Sequence, residues 1–276
     1  MRTCLEIMEW FDARWPESLA CPWDNVGLLA GRAEKEVKKV YIALDATEET
    51  IEAAVSAGAD MMITHHPLIF GGIKRVCDQD ALGRRLLSLI KADLSCYAGH
   101  TNFDIAKGGM ADLAAGRFGL FDEERGLLPL EPSGEQEGVL VGIGKVGYLK
   151  KPMSLEELAE ALKERFQIPS LTVYPVLQRR LSWPGSMGMI KKAAISPGSG
   201  KSMMEAAVRA GVDVLITGDM GHHEGLDLTA EGVALVDAGH YGLEHIFVET
   251  VADRLMTEKT GLEVVQAPVS YPCKVL

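Results

Sequence analysis

The feature that most constrains this chain is an internal repeat. The segment EAAVSAGADMMIT (52–64) matches EAAVRAGVDVLIT (205–217) at nine of thirteen positions. In each copy an alanine-rich helical pattern ends near a glycine, and a short apolar run of strand length follows it. Self-similarity of this kind indicates two related supersecondary units. The sequence therefore predicts an α/β fold made of two related lobes.

Strand and helix patterns alternate through the first third of the chain. Apolar runs of strand length cover 37–46, 60–66 and 94–100, and apolar residues recur at helical spacing over 47–59 and 81–93. This rhythm favours a mainly parallel sheet with helices on its faces.

The middle of the chain has a different pattern. EPSGEQEG (131–138) is polar and contains glycine and proline, which predicts a loop, and VLVGIGKVGYL (139–149) is typical of a glycine-interrupted strand. Ser154 and Glu157 have capping-box spacing ahead of an amphipathic helix. We expect one domain of two lobes, lobe I at about 1–125 and lobe II at about 139–276.

Composition excludes some classes of function. The net charge is −11 and no block of Lys and Arg occurs, so an extended nucleic-acid surface is not expected. The five cysteines are scattered, the first residues lack a signal-peptide pattern, and no apolar run approaches the ~20 residues of a membrane span. These features predict a cytoplasmic protein with reduced thiols and no membrane partner.

The repeat extends to residues that carry chemistry. AGHTNFD (98–104) is similar to AGHYGLE (238–244), and each places a carboxylate four residues after a histidine. Ligands of open α/β sheets bind beyond the carboxyl ends of the strands. We therefore expect corresponding strand ends of the two lobes to face a common cleft, with the C-terminal part of the chain returning ligands to it.

Two adjacent histidines, His65 and His66, stand at the end of an apolar run, just before Pro67. Consecutive strand residues point to opposite faces, but at a strand end both rings can reach beyond the sheet toward two different ions. His240 and Glu244 are spaced i and i+4, so they share a helix face. A carboxylate can bridge two cations, which makes Glu244 the candidate bridge of a two-metal centre.

Asp104 is the candidate terminal ligand, and the role of His100 stays open at this point. It is either a ligand or a residue that orients Asp104 or a water, and it is our candidate for proton transfer in catalysis. Mixed imidazole and carboxylate ligands suit zinc, iron or manganese. Two such ions can clamp a phosphoryl group or activate water.

Other histidines are weaker candidates. His222 and His223 are either surface residues or substrate contacts, and His245 is expected to be structural.

The segment PGSGKS (197–202) resembles a phosphate-binding P-loop but lacks its first glycine, since residue 195 is isoleucine. A tight turn that uses Gly198 and Gly200 for close packing is the expected role.

Several motifs together resemble a known family. They occur in the order found in the Nif-three-like family, whose members are also labelled GTP cyclohydrolase I type 2 homologues: CPWDNVGLLAG (21–31), ITHHPLIF (63–70), AGHTNFD, PGSG, LITGD and DAGHYGLEH. The resemblance implies a homohexamer with a dinuclear metal centre in each subunit, in a cleft between two α/β lobes. It implies these metal ligands: His65, His66, Asp104, His240 and Glu244.

Two functions follow as expectations. The first is a metal-dependent hydrolase that uses two divalent ions to act on a nucleotide or another phosphorylated small molecule, with His100 as the catalytic proton carrier. The second is a non-catalytic metal-binding scaffold or regulatory protein.

Overall fold

We obtained the fold from a computed structural model, in which residues 2–176, 188–258 and 260–275 are described. The first elements of the chain are β1 (Arg2–Thr3), α1 (Cys4–Asp12), β2 (Gly27–Ala30), β3 (Glu36–Val37), β4 (Lys39–Ala43), α2 (Glu48–Ser56), β5 (Met61–Thr64), α3 (Ala81–Lys91), β6 (Ser95–Ala98) and α4 (Thr101–Ile105). The next elements are α5 (Met110–Phe118), β7 (Leu120–Phe121), β8 (Leu128–Gln136), β9 (Val139–Met153), α6 (Leu155–Phe166) and β10 (Thr172–Tyr174). The last are β11 (Ile190–Ser199), α7 (Met204–Ala210), β12 (Val214–Gly218), α8 (His222–Ala230), β13 (Ala234–Asp237), α9 (His240–Glu244), α10 (Ile246–Thr257) and β14 (Glu263–Gln266).

The chain divides into two compact units. The first contains Met1–Ala106 and Phe247–Ser270, and the second contains Lys107–Ile246 and Tyr271–Leu276. The C-terminal stretch returns to the first unit because β14 pairs in parallel with β4. The division into lobes at about 1–125 and 139–276, with a C-terminal part that returns ligands to a shared cleft, stays a prediction.

The first unit is built on a five-stranded sheet in the order β14-β4-β5-β6-β2. Its first four strands are mutually parallel, and β2 pairs antiparallel with β6. Buried side chains of β4, α2, β5 and α3 form its core, among them Tyr41, Ile51, Met62 and Leu89. The mainly parallel sheet predicted for this part of the chain is confirmed.

The second unit is built on a larger mixed sheet in the order β10-β13-β12-β11-β9-β7, with β8 also paired to β9. The neighbours β11, β12 and β13 are parallel, and the other strand pairs are antiparallel. This unit therefore contains a parallel βαβαβ segment extended by antiparallel strands.

The repeat in the sequence is a repeat in the fold. The order β4-α2-β5-α3-β6 followed by α4 matches β11-α7-β12-α8-β13 followed by α9. In the first unit, a carboxylate oxygen of Asp60 accepts hydrogen bonds from the backbone amides of residues 38 and 39 at 2.8 and 3.0 Å. In the second, Asp213 accepts the equivalent bonds from residues 191 and 192, both at 2.9 Å. The repeated aspartate thus holds the start of an equivalent strand in each unit.

Local sequence explains where several helices begin. Ser154 accepts a hydrogen bond from the backbone amide of Glu157, whose side chain bonds back to Ser154, so the predicted capping box starts α6. Thr47 and Thr50 cap α2 in the same reciprocal way. The bonds satisfy backbone amides that the first helical turn leaves without partners.

The prediction of a loop over 131–138 is wrong. Most of this segment belongs to β8, which forms a hairpin with β9. Glu137 and Gly138 both have positive φ, as a type I′ hairpin turn requires. The register shifts between Pro132 and Gly134, so these two residues are accommodated at an irregularity. Hairpin geometry therefore overrides a composition typical of loops.

Two further observations bear on the sequence predictions. Among the described residues, no helix combines the length and the apolar character needed to cross a bilayer. All five cysteines are free thiols.

Gly200 provides a test of the packing predicted for the PGSG segment. A Cβ at this position would lie 2.2 Å from the side chain of Thr217. We expect Gly200→Ala to lower the free energy of unfolding by about 1–3 kcal/mol, because adding a methyl group to a filled site forces its neighbours to shift. Urea titration measures the loss.

The control for that experiment is Gly134→Ala, since a Cβ there meets nothing within 4 Å. We expect the control to change the free energy of unfolding by less than about 0.5 kcal/mol. Equal losses in the two variants would contradict the packing argument.

Candidate metal centre

The adjacent histidines of the first unit lie immediately after β5. The backbone amides of His65 and His66 both donate to the carbonyl oxygen of Leu44, at 3.2 and 3.0 Å. Two consecutive amides sharing one carbonyl end the alternation of the strand. The two imidazole rings consequently lie close together, with their centroids 4.9 Å apart. The strand end thus places both rings in one region, and that they serve two different ions stays a prediction.

Each of these rings is held by a hydrogen bond on its Nδ1 side. The Nδ1–H of His65 donates to the carbonyl oxygen of Gly99 at 2.9 Å, and that of His66 donates to a carboxylate oxygen of Asp45 at 2.8 Å. Because both acceptors are oxygen atoms without a proton, Nδ1 is the protonated nitrogen. In this neutral tautomer Nε2 carries the lone pair, which is the form of imidazole that binds a metal.

The ring of His100, the N-cap residue of α4, is also held by hydrogen bonding on its Nδ1 side, in this case to both oxygens of a carboxylate. Its Nδ1 lies 2.9 Å from both carboxylate oxygens of Asp24, whose side chain is fully buried. Thr101 donates to Asp24 through its amide at 3.0 Å and its hydroxyl at 2.5 Å. Burial raises the pKa of Asp24, but the hydrogen bonds from His100 and Thr101 outweigh it and hold the pKa well below its usual range. Asp24 is therefore an ionised carboxylate.

The first unit brings four of the predicted site residues together. One ligand atom from each of His65, His66 and His100 lies within 4.8 Å of the others. The Nε2 atom of His65 is 3.4 Å from a carboxylate oxygen of Asp104. Two ligands bound about 2.1 Å from one ion, at angles between octahedral and tetrahedral, are separated by about 3.0–3.4 Å. The distance between His65 and Asp104 fits two ligands of the same ion.

The second unit repeats this arrangement at α9. The Nδ1–H of His240 donates to Asp219 at 2.7 Å, and Nε2 of the same ring lies 2.9 Å from a carboxylate oxygen of Glu244. Glu244 is 2% exposed. A lone pair and a buried carboxylate oxygen repel each other at this distance unless a cation or a proton lies between them. The donor atoms therefore suit a bound cation.

Gly198 leaves the space that the Glu244 carboxylate occupies. It has a φ of +79°, and a Cβ there would lie 2.7 Å from a carboxylate oxygen of Glu244. The prediction of a tight turn at Gly198 is wrong, because this residue lies within β11 at a register shift between Ile195 and Ser199, and its missing side chain makes room for the candidate ligand. Lys201, the lysine of the apparent P-loop, is instead exposed and pairs with Glu224 at 2.6 Å.

The two copies of the repeat differ where the histidine pair stands. Gly218 and Asp219 follow the strand in the second unit where His65 and His66 follow it in the first. A Cβ on Gly218 would lie 2.5 Å from the backbone nitrogen of His240. No side chain fits there, so the second unit keeps a single imidazole of this kind and uses Asp219 to orient it.

The remaining histidines lie elsewhere. His222 and His223 are exposed in the first turn of α8. His245 is buried and donates through Nε2–H to the carbonyl oxygen of Phe166 at 2.7 Å, and burial lowers its pKa. This contact agrees with the structural role expected for His245.

Sequence reasoning missed the carboxylates that orient the rings, namely Asp24, Asp45 and Asp219. Asp45 follows β4 and Asp219 follows β12, so their position after apolar strands was an available signal. Asp24 lies in a loop, and no spacing in the sequence connects it with His100. That the ligand sets of the two units serve one shared cleft stays a prediction.

The residues fit a divalent metal. Imidazole nitrogens with defined tautomers, together with carboxylates, are donor groups that suit zinc, iron and manganese. The structure thus provides His and carboxylate groups that could hold a metal ion.

Comparisons with known proteins show which proteins this chain is similar to. The family model described as Duf34/NIF3 (NGG1p interacting factor 3) matches residues 2–271. A protein of Streptomyces coelicolor named GTP cyclohydrolase 1 type 2 homolog is 35% identical over 252 residues, covering 91% of this chain and 84% of that protein. One of the same name from Clostridium perfringens is 34% identical over 241 residues, covering 87% and 86%. The crystal structure of Staphylococcus aureus protein SA1388 superposes with a TM-score of 0.84 at 28% identity, covering 100% of this chain and 99% of that one.

A substitution at Gly198 tests the ligand role of Glu244. We expect Gly198→Ala to weaken zinc binding by about 10- to 100-fold, the range found when the support of a metal ligand is lost. The physical reason is that the new methyl group displaces the Glu244 carboxylate. Competition with a zinc-binding dye measures the affinity.

The matched control is Gly211→Ala. Gly211 also has a positive φ, +61°, but a Cβ there meets nothing within 4 Å. Both variants carry backbone strain of about 1–2 kcal/mol, so only the zinc affinity separates them. Equal zinc affinities in the two variants would contradict the role assigned to Gly198.

Proposed function

This chain belongs to the Duf34/NIF3 family, as its motifs predicted, and from that premise we propose that it is a metal-dependent hydrolase acting on a nucleotide or another phosphorylated small molecule. One observation carries the proposal. In each unit an imidazole with its Nδ1 proton engaged turns Nε2 toward a carboxylate oxygen, at 3.4 Å in one and 2.9 Å in the other. The name GTP cyclohydrolase 1 type 2 homolog, carried by the relatives, supports a nucleotide as substrate.

We assign metal binding to the five residues implied by the family resemblance. The proposed ligands are His65, His66, Asp104, His240 and Glu244, which hold two divalent ions of zinc, iron or manganese as a dinuclear centre. When bound, such ions lower the pKa of water and neutralise charge on phosphoryl or carbonyl oxygens. Five protein ligands leave coordination positions for substrate and solvent, because each ion takes at least four ligands. This supports catalysis over a purely structural metal.

The proposed catalytic residue is His100. Its ring lies beside those of His65 and His66, with centroids 5.1 and 5.5 Å away. The ionised Asp24 orients the ring through Nδ1 and leaves Nε2 for the exchange of a proton. His100 is therefore suited to take up a proton and return it during hydrolysis.

A non-catalytic role is the second candidate. The family description names an interacting factor, which favours a metal-holding scaffold or regulator that binds a protein partner. The homohexamer implied by the resemblance is compatible with both functions and is part of the proposal.

The first test is metal content. We expect His66→Ala and Glu244→Gln to lose most of the metal that the wild-type protein retains after dialysis, because each removes a ligand. Inductively coupled plasma mass spectrometry measures the metal, and circular dichroism confirms that the variants are folded. His223→Ala, which removes an exposed histidine, is the control. Full metal occupancy in both variants would contradict the assignment of His66 and Glu244 as metal ligands.

The second test is turnover. The metal-loaded protein is assayed with nucleoside triphosphates and phosphoesters, and we expect hydrolysis that chelation abolishes. His100→Ala should keep its metal and lose about 10²- to 10⁴-fold in kcat, the range for loss of a general acid–base. Absence of turnover across the panel, together with tight capture of a protein partner, would favour the scaffold instead.

A further inference from the structure

Two large aromatic side chains of the first unit are exposed beside His100. Trp23 is 64% exposed and Phe70 is 57% exposed. Their ring centroids lie 6.1 and 5.8 Å from that of His100, at interplanar angles of 75° and 86°. Aromatic residues of this size are usually buried, and exposed ones that cluster mark binding surfaces.

The backbone that carries these rings is held in place, although the rings are exposed. Trp23 precedes Asp24, whose buried carboxylate bonds to His100 and Thr101. The side-chain amide of Asn25 donates to the carbonyl oxygen of Ile69 at 2.6 Å, one residue before Phe70. The loop of Trp23 is thereby tied to the loop of Phe70. The backbone at both residues is therefore held in place, while much of each ring surface is exposed to solvent.

We propose that Trp23 and Phe70 form an aromatic rim that binds a planar aromatic ring of the substrate, such as a nucleobase, next to His100. Aromatic side chains stack on any nucleobase, because every base has a π-face. This inference rests on the proposed function and narrows its substrate class from phosphorylated molecules in general to those with an aromatic heterocycle.

Charge on the same loop fits an anionic ligand. Lys74 and Arg75 follow Phe70 closely along the chain and are both exposed. The first acidic residues after them on this loop are Asp78 and Asp80, which lie further from Phe70 along the chain. An aromatic rim on a loop with two cations favours a nucleotide over a phosphoester without a ring.

The test compares ligands that differ only in the base. Isothermal titration of the zinc-loaded protein is carried out with AMP, GMP, CMP, UMP and ribose 5-phosphate. We expect the wild type to bind at least one nucleotide more than about fivefold tighter than ribose 5-phosphate. Trp23→Ala and Phe70→Ala should each weaken the binding of that nucleotide by about 5- to 150-fold, which is the effect of losing base stacking. Ribose 5-phosphate binding and zinc content should change less than about twofold.

Further variants keep the result interpretable. Trp23→Phe and Phe70→Tyr retain an aromatic face and should retain most of the nucleotide affinity. Trp23→Leu and Phe70→Leu keep an apolar side chain without a π-face, so we expect them to bind nucleotides as weakly as the alanine variants. They replace the alanine variants in the comparison if the alanine variants fold poorly. Ile90→Ala removes a side chain that is 63% exposed on α3 and should bind like the wild type.

Several outcomes would overturn the aromatic rim. One is unchanged nucleotide binding in the alanine variants, and another is an equal loss of nucleotides and ribose 5-phosphate. A third is a change of oligomeric mass in the alanine variants, which would make the rings contacts between subunits. The aromatic rim is also contradicted if the wild-type protein binds none of the nucleotides more tightly than ribose 5-phosphate. The metal content of His66→Ala and Glu244→Gln tests the ligand assignment of the proposed function separately, without any nucleotide.

Discussion

The hydrogen bond on the Nδ1 side of each candidate imidazole is the interaction on which the site depends. It fixes which nitrogen carries the lone pair and where that nitrogen points, and a metal requires both. The acceptors come from backbone and side chains alike: Gly99 for His65, Asp45 for His66, Asp24 for His100 and Asp219 for His240. Without them the rings would rotate, and ligand atoms would not be preorganised for a cation.

The two copies of the repeat differ in sequence, which explains why the two units carry different candidate ligands. Both place a histidine and a carboxylate on a short helix after the third strand of the repeat, as His100 and Asp104 or as His240 and Glu244. Beyond the second strand, the first unit has room for two imidazoles. In the second unit the backbone of α9 comes so close to the strand end that only glycine fits, at Gly218. The same order of strands and helices thus carries three imidazoles in one unit and a His–Glu pair in the other.

Much of the fold was predictable because its signals are local. Capping residues at Thr47 and Ser154 start their helices where the sequence indicates, since a cap acts on amides two or three residues away. The failure at 131–138 has an equally physical cause. Strand pairing there depends on the turn at Glu137–Gly138 and on β9 as a partner, and neither is visible in the polar composition of the segment. The carboxylates that orient the rings escaped prediction for a related reason, because Asp24 meets His100 across 76 positions of chain.

The sequence by itself determined the repeat, the strand ends that carry histidines, and the pairing of a histidine with a carboxylate four residues later. These are periodic or local patterns, and the regular geometry of strands and helices is enough to predict structure from them. Only the tertiary structure decided which ring nitrogen is protonated, which glycine makes room for a ligand, and that Trp23 and Phe70 stand exposed beside His100. Each of these depends on contacts between residues far apart in sequence, and such contacts are fixed only when the core has packed.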